Sequence, residues 1–166
     1  MQRAELKAMQ APLKERYAEH GEDAFVTLAA EGELGEGVTC SVNTGRALVR
    51  AGLHQGTGGD GMSACSGDLL LQALVACAGV TMGAVATSMG IEVRAGRLRA
   101  EGDLDFRGTL GVDKAVPVGF TSIRLIFDID TDASPDQLDA LLRLTERYCV
   151  VLQSLRVPPE VTARIA

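Results

Sequence analysis

The chain has 166 residues, four cysteines and a formal charge of −6, with its 16 Lys and Arg scattered rather than gathered. That length suits one domain with a real core, and without a basic stripe a nucleic-acid partner is not expected. The opening "MQRAELKAMQAPLKERYAEHGE" mixes charges of both signs where a secretory signal needs an apolar run. The expected compartment is therefore cytoplasmic, where cysteines are made and kept as thiols.

Residues 2–20 have helical composition, but Pro12 should divide them into two short pieces or restart the helix. Residues 1–22 are read as a helical extension and 23–166 as a single domain. Three runs rich in Val, Leu and Thr follow, "AFVTLAAEGEL", "GVTCSVNT" and "RALVRAGL", separated by glycine turn signals. They predict an antiparallel meander. The stretch "HQGTGGDGMSACSG", residues 54–67, holds five glycines, which suits either a loop that brings backbone close to a ligand or a plain linker.

Ser66 then stands where an N-cap belongs, Asp68 falls in the first turn where the helix dipole favours an anion, and Gly90 supplies a stop. The spacing predicts one long helix over 67–89. No charge occurs from Leu69 through Ile91, which is long enough to cross a bilayer at roughly 20 apolar residues. Gln72, Thr81, Thr87, Ser88 and the glycines dilute it, and no aromatic or basic belt flanks it. The membrane reading is set aside. A helix apolar on all sides must be buried on all sides, and a chain with so little other helix can hardly surround it. A second copy is the natural cover, so a homodimer is expected.

Two alternating runs, "EVRAGRLRAEGDLDFRGT" and "TSIRLIFDIDT", predict half-buried strands, and "SPDQLDALLRLTERYCVVLQSL" opens a helix at Ser-Pro. Helical spacing carries its apolar face through Tyr148 and Cys149, and Pro158 precedes a short strand, "EVTARIA". Strands, helix, strands, helix make an α+β fold.

A cysteine between Ala and Gly in an apolar helix, as Cys77 is, most often behaves as a small inert hydrophobe. The four cysteines form no Cys-x-x-Cys pair and the two histidines stand in no ligand motif, so no metal is expected. Cys77 and Cys149 could act as an attacking and a resolving thiol if the fold brings their helices together. Cys65 is a possible alternative thiol at the start of the same helix as Cys77, and Cys40 reads as a strand side chain.

The segment "GDLLLQALVACAGVTMGAVATSMGIEV", followed by two strands and "LTERYCVVLQSL", resembles the OsmC/Ohr family of thiol-dependent hydroperoxide reductases over roughly residues 25–166. The resemblance implies an antiparallel sheet with a long central buried helix in an intertwined homodimer. It implies that Cys77 is peroxidatic and Cys149 resolving, that the substrates are hydroperoxides, and that an external thiol such as a dithiol, with no bound cofactor, restores the enzyme. It also implies an activating arginine on the early strands, for which Arg46 and Arg50 are candidates and Arg46 is preferred, oriented by a helix-start carboxylate, Asp68. Two positions depart from the family pattern. Asp68 is an Asp one residue nearer the cysteine than the usual Glu, and Val150 stands where Pro commonly follows the second cysteine. The alternatives are an OsmC-like redox sensor or binding protein without efficient turnover, and a protein whose cysteines only pack.

Overall fold

A computed structural model describes residues 3–34, 40–42, 51–62 and 64–156. Helix α1 (Arg3–Glu19) leads, by way of a 3-10 turn (Gly21–Ala24), into strand β1 (Phe25–Leu34). Short strands β2 (Cys40–Val42), β3 (Ala51–Gly52) and β4 (Ala64–Cys65) precede the long helix α2 (Ser66–Met89). Then come β5 (Ala95–Asp105), the single turn α3 (Phe106–Thr109), β6 (Ser122–Asp130), α4 (Pro135–Tyr148) and α5 (Val150–Ser154). The order is the expected α+β alternation.

The main sheet is antiparallel throughout, in the order β2-β1-β5-β6. β1 and β5 pair from Phe25 opposite Asp105 to Glu33 opposite Arg97, and β5 pairs with β6 from Ala95 opposite Asp130 to Asp103 opposite Ser122. Period-two alternation decides which face is which. Leu98 and Ala100 of β5 are fully buried, with Ile123, Leu125 and Phe127 of β6 packed beside them. Their neighbours on the other face form an ionic ladder in which Arg124 bridges Glu101 and Asp103, and Arg99 pairs with Glu101 at 3.0 Å.

α2 lies across the buried face against β1 and β5, with α4 and α5 beside it. Leu71, Leu74, Val75 and Ala78 meet Leu98, Ala100 and Cys149 in one core cluster, and Met82, Val85 and Ala86 meet Leu141 in a second. Leu74 is 0% exposed. Leu74→Ala should lower the unfolding free energy by about 2–5 kcal/mol, a large part of a domain's total. Urea unfolding checks this, and a loss below about 1 kcal/mol would mean that the site collapses around the smaller side chain.

Four local expectations are corrected. α1 runs unbroken through Pro12, because contacts on both sides of the proline hold it. Gln10 Nε2 donates to the Thr57 carbonyl at 3.4 Å, and the buried Tyr17 donates its hydroxyl to the Gly56 carbonyl at 2.7 Å. The third run does not extend the meander in the described residues. Ala51 and Gly52 pair in parallel with Ala64 and Cys65 as a separate two-stranded sheet, closed by the glycine-rich loop. The cap of α2 is Cys65 rather than Ser66, since Ser66 already has helical backbone, while Gly90 ends the helix in the left-handed region at φ 68°.

The last helix stops at Cys149, whose backbone is extended at φ −70° and ψ 105° and which both ends α4 and starts α5. As expected of a chain with so little other helix, α2 is not covered on all sides by its own chain. Leu70, Ala73, Val80, Ala84 and Thr87 remain exposed along a stripe of three- and four-residue steps that passes through Cys77. By length and composition α2 could span a membrane, yet its other face forms the core just described. The final strand expected at "EVTARIA" lies outside the described residues.

Candidate active site

Two elements bring the cysteines together. On α2, Cys77 falls one residue short of the fully buried Ala78, so its thiol sits at the margin of the packed face and is half-buried. On α4, Leu141, Thr145 and Cys149 repeat every four residues, are nearly or fully buried, and carry the stripe that faces α2. Thr145 satisfies its hydroxyl by donating to the Leu141 carbonyl at 2.8 Å. Where α4 ends, the thiols of Cys77 and Cys149 lie within hydrogen-bonding contact of each other, and both cysteines remain free thiols.

Their environments push the two thiols apart. Burial pushes Cys77 up, but hydrogen bonds to its sulfur from the Val151 amide, the Cys149 thiol, the Thr81 hydroxyl and the Val150 amide outweigh it, so Cys77 lies below the ordinary thiol range. Burial pushes Cys149 up, and the neighbouring Cys77 adds to that, with partial relief from the amides of Leu152 and Val151. Cys77 is therefore the thiol that ionises first, and the more accessible of the two. Cys149 is completely enclosed.

This difference fixes a pH response. Because a depressed pKa raises the thiolate fraction at any given pH, alkylation of Cys77 by iodoacetamide should reach half its maximal rate at a lower pH than alkylation of an unperturbed cysteine thiol. Cys149 should respond only at higher pH. Site-resolved mass spectrometry across pH 6–9 reads both, and Cys149 labelling ahead of Cys77 would contradict the assignment.

The break at Cys149 is what aims these donors. Ending α4 with extended backbone lets a new helix begin at Val150, whose first N–H groups have no partner within that helix. Val150 matters here because a proline in its place would have no N–H to offer. Neither Thr81, one turn after Cys77, nor the two valine amides was singled out by the sequence. Thr81 was available from its four-residue spacing, whereas the amides carry no side-chain signal.

The other predicted site residues lie elsewhere. Asp68 is in the first turn of α2, nine residues before Cys77, which is about 13 Å of helix rise and half a revolution around the axis. Burial pushes its carboxyl above the usual range and His54 pulls it partly back. Arg46 and Arg50 lie outside the described residues. Cys65 caps α2, far from the pair. Among the described residues, no group of three or more His, Cys, Asp or Glu side chains is placed to hold a metal ion.

A family model described as OsmC-like protein matches residues 58–164 of this chain. Among curated proteins no sequence matches it. Among solved structures, the chain is similar to an OsmC-like hydroperoxide resistance protein from Jannaschia sp. CCS1, with a TM-score of 0.58 and 16% identity over 86% of this chain and 94% of that one. At that identity the likeness is one of fold.

Proposed function

The chain belongs to the OsmC-like protein family, and from that premise we propose that it is a cysteine-based peroxidase that reduces organic hydroperoxides. The observation that carries this reading is the pair itself: an accessible thiol held low by four hydrogen-bond donors, against an enclosed thiol held high.

In this scheme the Cys77 thiolate attacks the terminal oxygen of the hydroperoxide, the O–O bond breaks, and the leaving alkoxide takes a proton to depart as alcohol. Cys77 becomes a sulfenic acid. The Cys149 sulfur then attacks that sulfur, its thiol proton and the sulfenic hydroxyl leave as water, and a Cys77–Cys149 disulfide forms. An external dithiol reduces the disulfide by two exchange steps and is itself oxidised to a cyclic or linear disulfide. No bound cofactor takes part.

The donors around Cys77 serve twice, because groups that stabilise its thiolate also hold the sulfur in one orientation. Arg46 is the proposed cation. Asp68 sits too far along α2 to touch the sulfur and would act only by orienting that arginine. Ala73 and Val80, one turn to either side of Cys77, are exposed and apolar, which favours an organic hydroperoxide over hydrogen peroxide. The same uncovered stripe supports a homodimer in which two α2 helices meet, and the proposed compartment is the cytoplasm.

The test is peroxide consumption by the purified chain, with cumene hydroperoxide and hydrogen peroxide each supplied with dihydrolipoamide or dithiothreitol. Catalytic consumption favouring the organic peroxide supports the proposal. Stoichiometric oxidation of Cys77 without recycling by either dithiol would instead favour a redox sensor.

A further inference from the structure

A second feature lies at the other end of α2. Between the start of that helix, the 3-10 turn Gln55–Thr57 and residues 104–120 there is a cavity of about 360 Å³. Its walls are mainly apolar, with Leu70, Leu104, Phe106 and Phe120 among them, and among the described residues no Asp, Glu, Lys or Arg lines it. His54 and Cys65 supply two of its few polar groups. Cys65 precedes Cys77 by twelve residues, about 18 Å of helix rise, so the cavity is separate from the thiol pair.

The walls are built rather than loose. The His54 and Phe106 rings meet with centroids 5.0 Å apart. A Cβ on Gly56 would come within 2.3 Å of the Phe106 ring, so only glycine permits this contact. Tyr17 of α1 fixes the same turn through the Gly56 carbonyl at 2.7 Å. His54 Nδ1 accepts the Gly56 N–H at 2.9 Å, which leaves Nε2 as the ring nitrogen able to donate. Among the described residues nothing accepts a hydrogen bond from Nε2. A cavity of this volume falls at the small end of the range for ligand sites, about 300–1,000 Å³, and has their pattern of apolar walls with few polar groups.

We propose that this cavity binds a small, neutral, mainly apolar molecule carrying one hydrogen-bond acceptor, which His54 meets, with the Cys65 thiol at the wall beside it. Neutrality follows from a lining that holds no Asp, Glu, Lys or Arg to pair with a desolvated ion. The site is independent of the peroxidase reading and would exist in a chain without turnover.

The test uses the full chain and two methanethiosulfonate reagents, one carrying a benzyl group and one a trimethylammonioethyl group. Each transfers its alkylthio group to a thiolate, forming a mixed disulfide with loss of methanesulfinate. Modification of Cys65 is followed by site-resolved mass spectrometry, and each rate is divided by that of the same reagent with N-acetylcysteine. The benzyl reagent should lead at Cys65 by at least about tenfold, and acetophenone, a neutral aromatic ketone, should slow it. Gly119 lines the cavity and a Cβ there meets no atom within 4 Å, so the first carbon of Gly119→Leu enters open space and the rest of the side chain adds bulk at the cavity wall. That variant should unfold at the wild-type temperature and lose most of the benzyl preference. Equal normalised rates, no labelling of Cys65, no effect of acetophenone, or a preference unchanged in Gly119→Leu would each overturn the proposal.

Discussion

Replacing Cys77 by serine is expected to abolish dithiol-dependent hydroperoxide consumption, a loss of at least about 10³-fold, while leaving the fold intact. Serine differs by one atom at a half-buried position, so packing changes little. Its hydroxyl is not ionised near neutral pH, and its oxygen cannot accept an oxygen atom as sulfur does. The four donors around the position would then face a neutral group. Cys149→Ser, treated with peroxide in the absence of added thiol, should behave differently: one equivalent of peroxide is consumed, and the sulfenic acid on Cys77 persists and is trapped by dimedone, because no second sulfur can condense with it. Turnover that survives in Cys77→Ser would move the chemistry to another thiol and end the proposed mechanism.

Val80→Glu on the uncovered stripe of α2 should convert a dimer to monomers. The stripe Leu70, Ala73, Cys77, Val80, Ala84 advances by alternating steps of three and four, the spacing that brings two helices into continuous contact. Val80 is 42% exposed in the single chain, so a carboxylate there costs the isolated subunit little. In a two-fold interface the same position enters twice, and two desolvated carboxylates with no cation beside them would weaken association by at least about 100-fold. Sedimentation of wild type and variant at micromolar concentration, with circular dichroism as a check on folding, decides it. A wild-type monomer, or a variant that remains dimeric, would remove the α2 contact. Since Cys77 lies on that stripe, peroxidase activity should fall with dissociation.

Sequence patterns foretold the elements whose determinants are local. α2 was legible from an uncharged run with Gly90 as its stop, β5 and β6 from strict alternation, and the start of α4 from Ser134, which accepts the Gln137 amide while Gln137 returns the bond in a capping box. Determinants that act across the fold were not legible. Pro12 reads as a breaker until Tyr17 and Gln10 are seen to be anchored. Ala51 and Gly52 read as a strand but do not name a parallel partner. The break at Cys149 has no proline or glycine to announce it. The candidate site followed the same division. Two cysteines 72 positions apart reveal nothing of their proximity, and only the family resemblance paired them. The Val150 and Val151 amides are properties of backbone direction that no residue type encodes, and His54 came to notice only once the loop carrying it was seen folded against Phe106.

The family match begins at residue 58, whereas β1, at Phe25–Leu34, is an interior strand flanked by β2 and β5. The recognisable segment is thus not a self-sufficient unit. A fragment trimmed to it would leave the long edge of β5 unpaired, a row of free amides and carbonyls that recruits neighbouring chains. The part of this protein that is easiest to identify is, by itself, a candidate for aggregation, and the less distinctive residues before it are what shield it from its own copies.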